Sequence, residues 1–434
     1  MKLSKYNNQV PYGEKTLLYN AYTDKFILVE PLINDLFTAA KNEGPEALQE
    51  IHPTFFEVLK NRGFIVDHQT DELELVKLKR AQVDLEDDTE YKLIINPTMN
   101  CNFKCWYCYE SHIKDSKMTA ETIESLKKHI SSVVGTMENL KTFHISWFGG
   151  EPFLFYEKII KPVSEYAVAI LSARNITLST TYTTNGFLIK ETMIEEFHKS
   201  RVRNFQITLD GNKEMHDTVR FVNSKKGSYD DIVANVLLLC RNELNVSLRI
   251  NYTKSNLTNL DDIIEHLGPL EPEFRKYMTI TFHKVWQETD KNLGEKVSEL
   301  NQKFRTAGFR SIYGGVINNV RRSCYADRRY QATINYNGDV FKCTARNFSA
   351  ESKEGSLNTN GVIEWNHKRE ERLDVKFKNK PCLECPILPI CNGGCSQKAL
   401  ENAGKDYCVY NFDNNLKAAV ILNKYDFLMN PPLV

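Results

Sequence analysis

From residue 91 onward the chain alternates short apolar runs with longer amphipathic stretches. YKLIINPT (91–98), TFHISWF (142–148), ITLSTTYT (176–183), VRNFQITLD (202–210), NVSLRINYT (245–253) and YMTITFHKV (277–285) carry the β-branched and aromatic residues of strands. Between and after them apolar residues recur at helical spacing, which predicts helices over 119–134 and near 155–173, 190–200, 229–242, 259–267 and 293–307. Thr119 stands where an N-cap belongs. Six strand–helix units in succession predict an α/β fold with helices outside a parallel sheet, a partial (β/α)6 TIM-like barrel over residues 90–310. Functional sites of such folds gather at the C-terminal ends of strands. Cys101, Gly149-Gly150-Glu151, Thr184-Asn185 and Asp210 all fall just past a predicted strand.

The flanks follow other patterns. Residues 14–29 predict two short strands joined at Thr23-Asp24, followed by helices around 31–42 and 46–62. Gly63 ends the second helix, and GFIVD (63–67) predicts another strand. Strands, helices and a small wing predict a winged-helix-like module over 1–85, with the charged stretch near 71–90 as a linker. Beyond about 315 the alternation fades while cysteine, glycine, asparagine and proline rise. Residues 315–434 therefore predict a loop-rich module with too little core to fold without a metal.

The 434 residues leave room for two or three domains. Lys+Arg and Asp+Glu balance at 56 each, so no charge excess draws the chain to nucleic acid or to an anionic membrane. No apolar run reaches membrane-spanning length and the first residues lack a secretory pattern, which predicts a cytoplasmic protein. In that compartment 11 clustered cysteines point to metal or catalysis rather than structural disulfides. None precedes Cys101, three fall by Cys108, and seven lie between Cys324 and Cys408. Cys240 stands alone on an apolar helix face and reads as a small buried residue.

The first patch, MNCNFKCWYCYESH (99–112), spaces Cys101, Cys105 and Cys108 as C-x3-C-x2-C. Three thiolates hold three irons of a [4Fe–4S] cluster and leave the fourth iron for a chelating small molecule; half of a zinc site is the alternative. With Tyr107 at the aromatic position, the stretch resembles the radical S-adenosylmethionine (SAM) family. The resemblance implies that Cys101, Cys105 and Cys108 carry the catalytic cluster, that SAM binds its open iron, and that one-electron cleavage supplies a 5′-deoxyadenosyl radical. Gly149-Gly150-Glu151-Pro152 resembles the family segment that holds the SAM amino group, where an ammonium needs carbonyl and carboxylate acceptors at close range. Thr183-Thr184-Asn185-Gly186 resembles the segment beside the nucleoside. Thr208-Leu209-Asp210-Gly211, with His216, Asp217 and Arg220, resembles the stretch in which Thr208 and Arg220 contact SAM, the arginine suiting its carboxylate.

The second patch places Cys324, Gly338 and Cys343 ahead of a C-x2-C-x5-C-x3-C run at Cys382, Cys385, Cys391 and Cys395, then Cys408. Two zinc knuckles are one reading. The seven-cysteine frame resembles the SPASM extension of radical SAM enzymes. That resemblance implies a closed auxiliary cluster on Cys382, Cys385, Cys391 and Cys408, and a second on Cys324, Cys343 and Cys395, for three [4Fe–4S] clusters in all. A substrate thiolate, or water, His, Asp or Glu, completes the three-thiolate cluster.

Relatives with both cluster modules mostly modify polypeptides. One subclass, the maturases of ribosomally made peptides (RiPPs), installs thioether or carbon–carbon crosslinks and carries an N-terminal leader-peptide module. Residues 1–85 suit that role, with a leader strand pairing to the sheet edge near 17–29. The implied partners are a precursor peptide with its leader and a flavodoxin- or ferredoxin-type reductant. The other subclass, anaerobic sulfatase maturases, makes formylglycine and keeps an acidic residue where this chain has Thr344. A non-catalytic iron–sulfur or zinc scaffold would not need Gly149-Gly150-Glu151-Pro152, Thr208 and Arg220. Trp147, Phe148 and Trp286 are candidates for the channel lining, and Phe282 or His283 for a contact to adenine.

Overall fold

The six expected strands lie side by side in chain order: Glu90–Ile95, Thr142–Trp147, Thr177–Thr184, Val202–Leu209, Val246–Tyr252 and Met278–Lys284. Each pairs in parallel with the next and is followed by helix. The computed structural model describes residues 1–290, 292–312 and 323–429. Arg310–Ile312 extends the sheet beyond the sixth strand. At the other edge Gln331–Ile334 adds in parallel to the first strand, followed by Asp339–Phe341, Gly355–Leu357 and Ile363–Trp365 in antiparallel order. The result is an 11-stranded mixed sheet. Residues 330–369, assigned from sequence to the cysteine-rich module, group with this sheet in one of the protein's two compact units.

The parallel strands are not the continuous apolar runs of a sheet covered on both faces. Phe143, Ile145, Trp147, Leu178, Tyr182, Phe205, Ile207, Leu209, Leu248, Ile250 and Ile280 are buried on the helix side, in one large core. The alternate positions are polar and half-exposed: His144 and Ser146, Ser179 and Thr181, Gln206 and Thr208, Ser247 and Arg249, Thr279 and Thr281. Register aligns them across the sheet, with Thr183, Gln206 and Ser247 in one row and Thr208, Arg249 and Thr281 in the next. One face is therefore a core and the other a wet, polar surface. Trp147 belongs to the core side, and Phe282 packs on Phe304 at 5.8 Å; neither faces the polar side.

Helix Ala120–Thr136 begins at Thr119, whose side chain accepts from the Thr122 amide. His129 on this helix is buried between the Tyr91 hydroxyl, 2.8 Å from Nε2, and the Gly361 carbonyl, 3.0 Å from Nδ1. A Cβ at Gly361 would lie 2.6 Å from the His129 amide nitrogen, so the approach requires glycine.

The other unit comprises residues 1–87, 323–329 and 370–429. Asn7–Tyr12, Lys15–Asn20 and Lys25–Val29 form a three-stranded antiparallel sheet. The expected helix over 46–62 is two, Pro45–Ile51 and Pro53–Asn61, because Pro53 interrupts it and the His52 ring caps the second. The charged stretch near 71–90 is no simple linker: Glu72–Ala81 is a helix, with Asp71 capping the Glu74 amide. It buries Val76 against Tyr6, Tyr19, Ile387, Ile390 and Ile421. The first and last parts of the chain thus share one core. Among the described residues no helix is long and apolar enough to cross a membrane.

Burial lowers the His129 pKa from 6.5 to about 4. The unfolded chain takes up this proton first as pH falls, so the stabilisation is complete above 6.5 and disappears towards 4. The full shift corresponds to about 3 kcal/mol as an upper bound. The thermal midpoint should fall over that interval, and His129→Gln should flatten this part of the Tm–pH curve.

Candidate functional site

The three-cysteine loop, residues 96–119, leaves the first parallel strand and returns into the first helix. Its two legs are stitched by Thr98 Oγ1 donating to the Ser116 carbonyl at 2.6 Å, the Met99 amide donating to Ser116 Oγ at 2.9 Å, and the Met118 amide donating to the Pro97 carbonyl at 3.0 Å. Phe103 anchors the middle, buried against Phe187 with ring centroids 5.6 Å apart. The Cys108 amide donates to the Cys105 carbonyl at 3.0 Å, so the two thiols share one turn.

Gly149-Gly150 docks against this loop. The Glu151 amide donates to the Asn100 carbonyl at 2.8 Å. Gly150 has φ +22°, and a Cβ there would lie 2.1 Å from the Asn100 oxygen; at Gly149 it would lie 2.8 Å from the Thr98 oxygen. Both glycines are needed for contact between backbones. The Gly150 amide donates to Glu110 Oε2 at 2.9 Å, and burial pushes that carboxyl up to about 7.

Glu151 is fully buried. Its Oε1 accepts from the Phe153 amide at 3.0 Å and from Thr184 Oγ1 at 2.7 Å, and its Oε2 from the Asn185 amide at 2.8 Å. The carboxylate ties the end of the second strand to the end of the third. Burial raises its pKa while these donors oppose the rise. Asn185 reaches back to the cysteine loop, its Nδ2 donating to Asn102 Oδ1 at 2.7 Å.

Tyr107, Asp210, Arg220 and Asn251 form one buried network. Arg220 Nε meets Asp210 Oδ2 at 2.6 Å and its Nη2 donates to the Tyr107 hydroxyl at 2.8 Å. That hydroxyl donates to Asp210 Oδ1 at 2.6 Å and accepts from Asn251 Nδ2 at 3.0 Å. Burial opposes the Arg220 charge, but Asp210, Tyr107 and Cys105 outweigh it and hold the guanidinium charged. His216 supports the arrangement as a neutral ring. Its Nδ1 accepts from the Asp210 amide at 3.2 Å, and burial pushes its pKa down to about 3. Thr208 stands one pleat before Asp210, in register with Arg249.

The structure therefore gathers Cys101, Cys105, Cys108, Tyr107, Gly149, Gly150, Glu151, Asn185 and Arg220 at the ends of consecutive strands. It adds Asn100, Asn102, Glu110 and Asn251, which carry no spacing signal in the sequence. Burial raises the pKa of all three thiols, to about 12 for Cys101, and the Arg220 charge acts against that rise on each. A three-thiol donor set beside a fixed cation suits an anionic iron–sulfur cluster. Among the described residues, no three His, Cys, Asp or Glu side chains converge on one point as a single metal ion demands. Trp286, 61% exposed, stacks on Tyr109 at 5.1 Å, and the Tyr109 hydroxyl donates to the Thr344 carbonyl at 2.9 Å.

In the other unit Cys382, Cys385, Cys391 and Cys408 line a single apolar cavity of about 30 Å³, with Ile387, Leu388, Tyr407 and Tyr410. The four thiols supply the donor set of a closed iron–sulfur cluster. Cys324 and Cys395 belong to this unit and Cys343 to the other. Cys240 is fully buried in the large core, where burial pushes its thiol up to about 12.

The Radical SAM superfamily model matches residues 95–267. The chain is 28% identical over 200 residues to a cysteine-type anaerobic sulfatase-maturating enzyme of Clostridium novyi, a match covering 43% of this chain and 50% of that enzyme. The chain thus spans about half the length of that relative. It is 23% identical over 412 residues to the radical SAM cyclopropyl synthase TigE of Paramaledivibacter caminithermalis, covering 84% of this chain and 80% of the synthase. The structure of Streptococcus suis SuiB bound to S-adenosylmethionine superposes with a TM-score of 0.55 at 15% identity, over 95% of this chain and 100% of SuiB. This last likeness is one of fold.

Gly150→Ala should destabilise the protein by about 1–3 kcal/mol, because the left-handed region and the Asn100 contact both oppose a side chain. Gly13→Ala, also at positive φ but facing open space, is the control and should cost only about 1 kcal/mol. Thermal midpoints of the two variants measure the difference.

Proposed function

The chain carries a radical SAM domain, and from that premise we propose that it matures a ribosomally made precursor peptide by hydrogen abstraction and crosslinking, with a thioether as the favoured product. The supporting observation is the tethering of the three-cysteine loop to successive strand ends through Gly150, Asn185 and Tyr107. Cys101, Cys105 and Cys108 would hold a [4Fe–4S] cluster, which together with SAM would supply a 5′-deoxyadenosyl radical. Arg220, held by Asp210 and Tyr107, and Thr208 near the end of the fourth strand would receive the SAM carboxylate. Glu151 already accepts three hydrogen bonds, so it steadies the site and leaves the carbonyls of the glycine pair for the ammonium. The polar face of a partial (β/α)6 barrel, with Arg249 and His283 on it, accommodates the substrate peptide.

Two auxiliary clusters complete this reading. The cavity among Cys382, Cys385, Cys391 and Cys408 supports the first. The second, on Cys324, Cys343 and Cys395, rests on the spacing of the sequence. The N-terminal sheet, in a winged-helix-like module, receives the leader. Lys25–Val29 is the edge strand of its sheet, and Arg62 donates to its Phe26 carbonyl at 2.7 Å. Beside it lies a groove of about 450 Å³ lined by Phe26, Ile27, Leu28, Arg62, Tyr425 and Leu428. SuiB has been solved with its precursor peptide SuiA, with a TM-score of 0.50 to this chain at 17% identity, over 94% of this chain and 98% of SuiB.

The sulfatase-maturase reading draws on the clostridial relative. Against it stands Thr344, which offers no carboxylate to accept a proton. Mass spectrometry of a treated cysteine-containing peptide separates the two: a crosslink removes a pair of hydrogens and keeps the sulfur, whereas formylglycine formation removes the sulfur.

Anaerobically purified protein should hold about twelve irons, falling to about eight in the Cys101/Cys105/Cys108→Ala variant. Zinc without iron would overturn the reading. Leu28→Glu, at an exposed position of the groove, should weaken leader-peptide binding about tenfold or more without lowering the thermal midpoint. Unchanged affinity by calorimetry would remove the leader-binding role.

A further inference from the structure

Lysine is almost never fully buried without a partner. The Lys376 side chain is only 2% exposed, and its ammonium lies 3.1 Å from Asp327 Oδ2, itself buried. The same ammonium donates to the Asn392 carbonyl at 2.9 Å and to the Gly394 carbonyl. Both carbonyls belong to the turn between Cys391 and Cys395, where Asn392, Gly393 and Gly394 stand in succession at φ +52°, +71° and +78°. The run Asn392-Gly393-Gly394 turns its carbonyls onto one cation. Asp327 is itself placed by a cysteine, its amide donating to the Cys324 carbonyl at 3.0 Å.

A second buried pair stands beside the first. Arg80 Nε meets Asp84 Oδ2 at 3.2 Å, and its Nη2 donates to the Leu373 carbonyl at 2.6 Å. Burial, with the Asp327 charge adding, pushes Asp84 up to about 6. Ion pairs this deep gain little net stability over apolar residues of the same shape. What this one does hold is the geometry of three cysteines: Cys324 through Asp327, and Cys391 and Cys395 through the turn. The Lys376 charge also reaches the thiols of Cys382 and Cys391, where it favours their ionised form.

We propose that Lys376 is a positioning residue for the auxiliary iron–sulfur sites: it fixes the Cys391–Cys395 turn, and together with Asp327 it sets the electrostatic field that tunes their reduction potential. The inference rests on the auxiliary-cluster reading above. A cation beside an anionic cluster stabilises its reduced form, and an anion the oxidised form.

The test uses the full chain carrying Cys101/Cys105/Cys108→Ala, so that only auxiliary iron reports, with redox titration followed by EPR. Lys376→Met should shift the auxiliary potential down and Asp327→Asn should shift it up, whereas Lys376→Arg should stay near the parent. Loss of iron in Lys376→Met with retention in Lys376→Arg, at matched thermal midpoints, would support the positioning role. Parent-like potentials and iron in both Lys376→Met and Asp327→Asn, or shifts in the same direction, would overturn the inference. A parent without iron would instead overturn the auxiliary-cluster reading itself, and the inference with it.

Discussion

Six parallel strands here bury one face and leave the other to water, and most of the structure follows from that division. A parallel sheet usually needs apolar residues on both faces because helices cover both. In this chain the helices cover one, and Phe143, Ile145, Phe205, Ile207 and their neighbours supply the core. The polar positions between them form aligned rows across the sheet. Loops at the strand ends then border a polar, half-exposed face of the sheet.

Within that frame, charge is kept off the surface of the site and bound to itself. Glu151 spends its carboxylate on three donors, and Asp210 fixes both Arg220 and Tyr107. These are shared supports, since each joins the ends of different strands. Rigidity at the rim therefore comes from a few polar residues whose partners lie far away in sequence. An isolated carboxylate at the burial of Glu151 would be costly, so the site holds together only as a set.

What could be read from the sequence and what could not follows from the range of each signal. Five of the six strands lie within one residue of their expected limits, and the first ends three residues early at Ile95, because period-two alternation and strand composition are local. Helix Glu72–Ala81 escaped because charged residues are interleaved with its apolar ones and Val76 finds its partners at Ile387 and Ile421, near the other end of the chain. Asn7–Tyr12 escaped because asparagines and Pro11 disguise a strand that its neighbour pairs. The four strands between Gln331 and Trp365 are only three or four residues long, too short for a pattern. At the site, the cysteines and Gly149-Gly150-Glu151 were legible from spacing. Asn102, Glu110 and Asn251 were not, because a lone polar residue announces its partner only once the strands are assembled. Trp147 and Phe282 have aromatic character that fits a channel and a core equally well, and the pleat decides for the core.

The shared core of Tyr6, Tyr19, Val76, Ile387 and Ile421 has a consequence for biosynthesis. The N-terminal sheet leaves the ribosome first, yet residues that cover it come about 370 to 415 positions later, a delay of roughly 20–80 s at ordinary elongation rates. During that interval this face has only helix Glu72–Ala81, through Val76, as intramolecular cover. Its burial waits on the last-made segment, which also bears most of the cysteines of the second patch. The order of translation thus makes the beginning of the chain among the last parts to be sealed, and exposes it to chaperones until then.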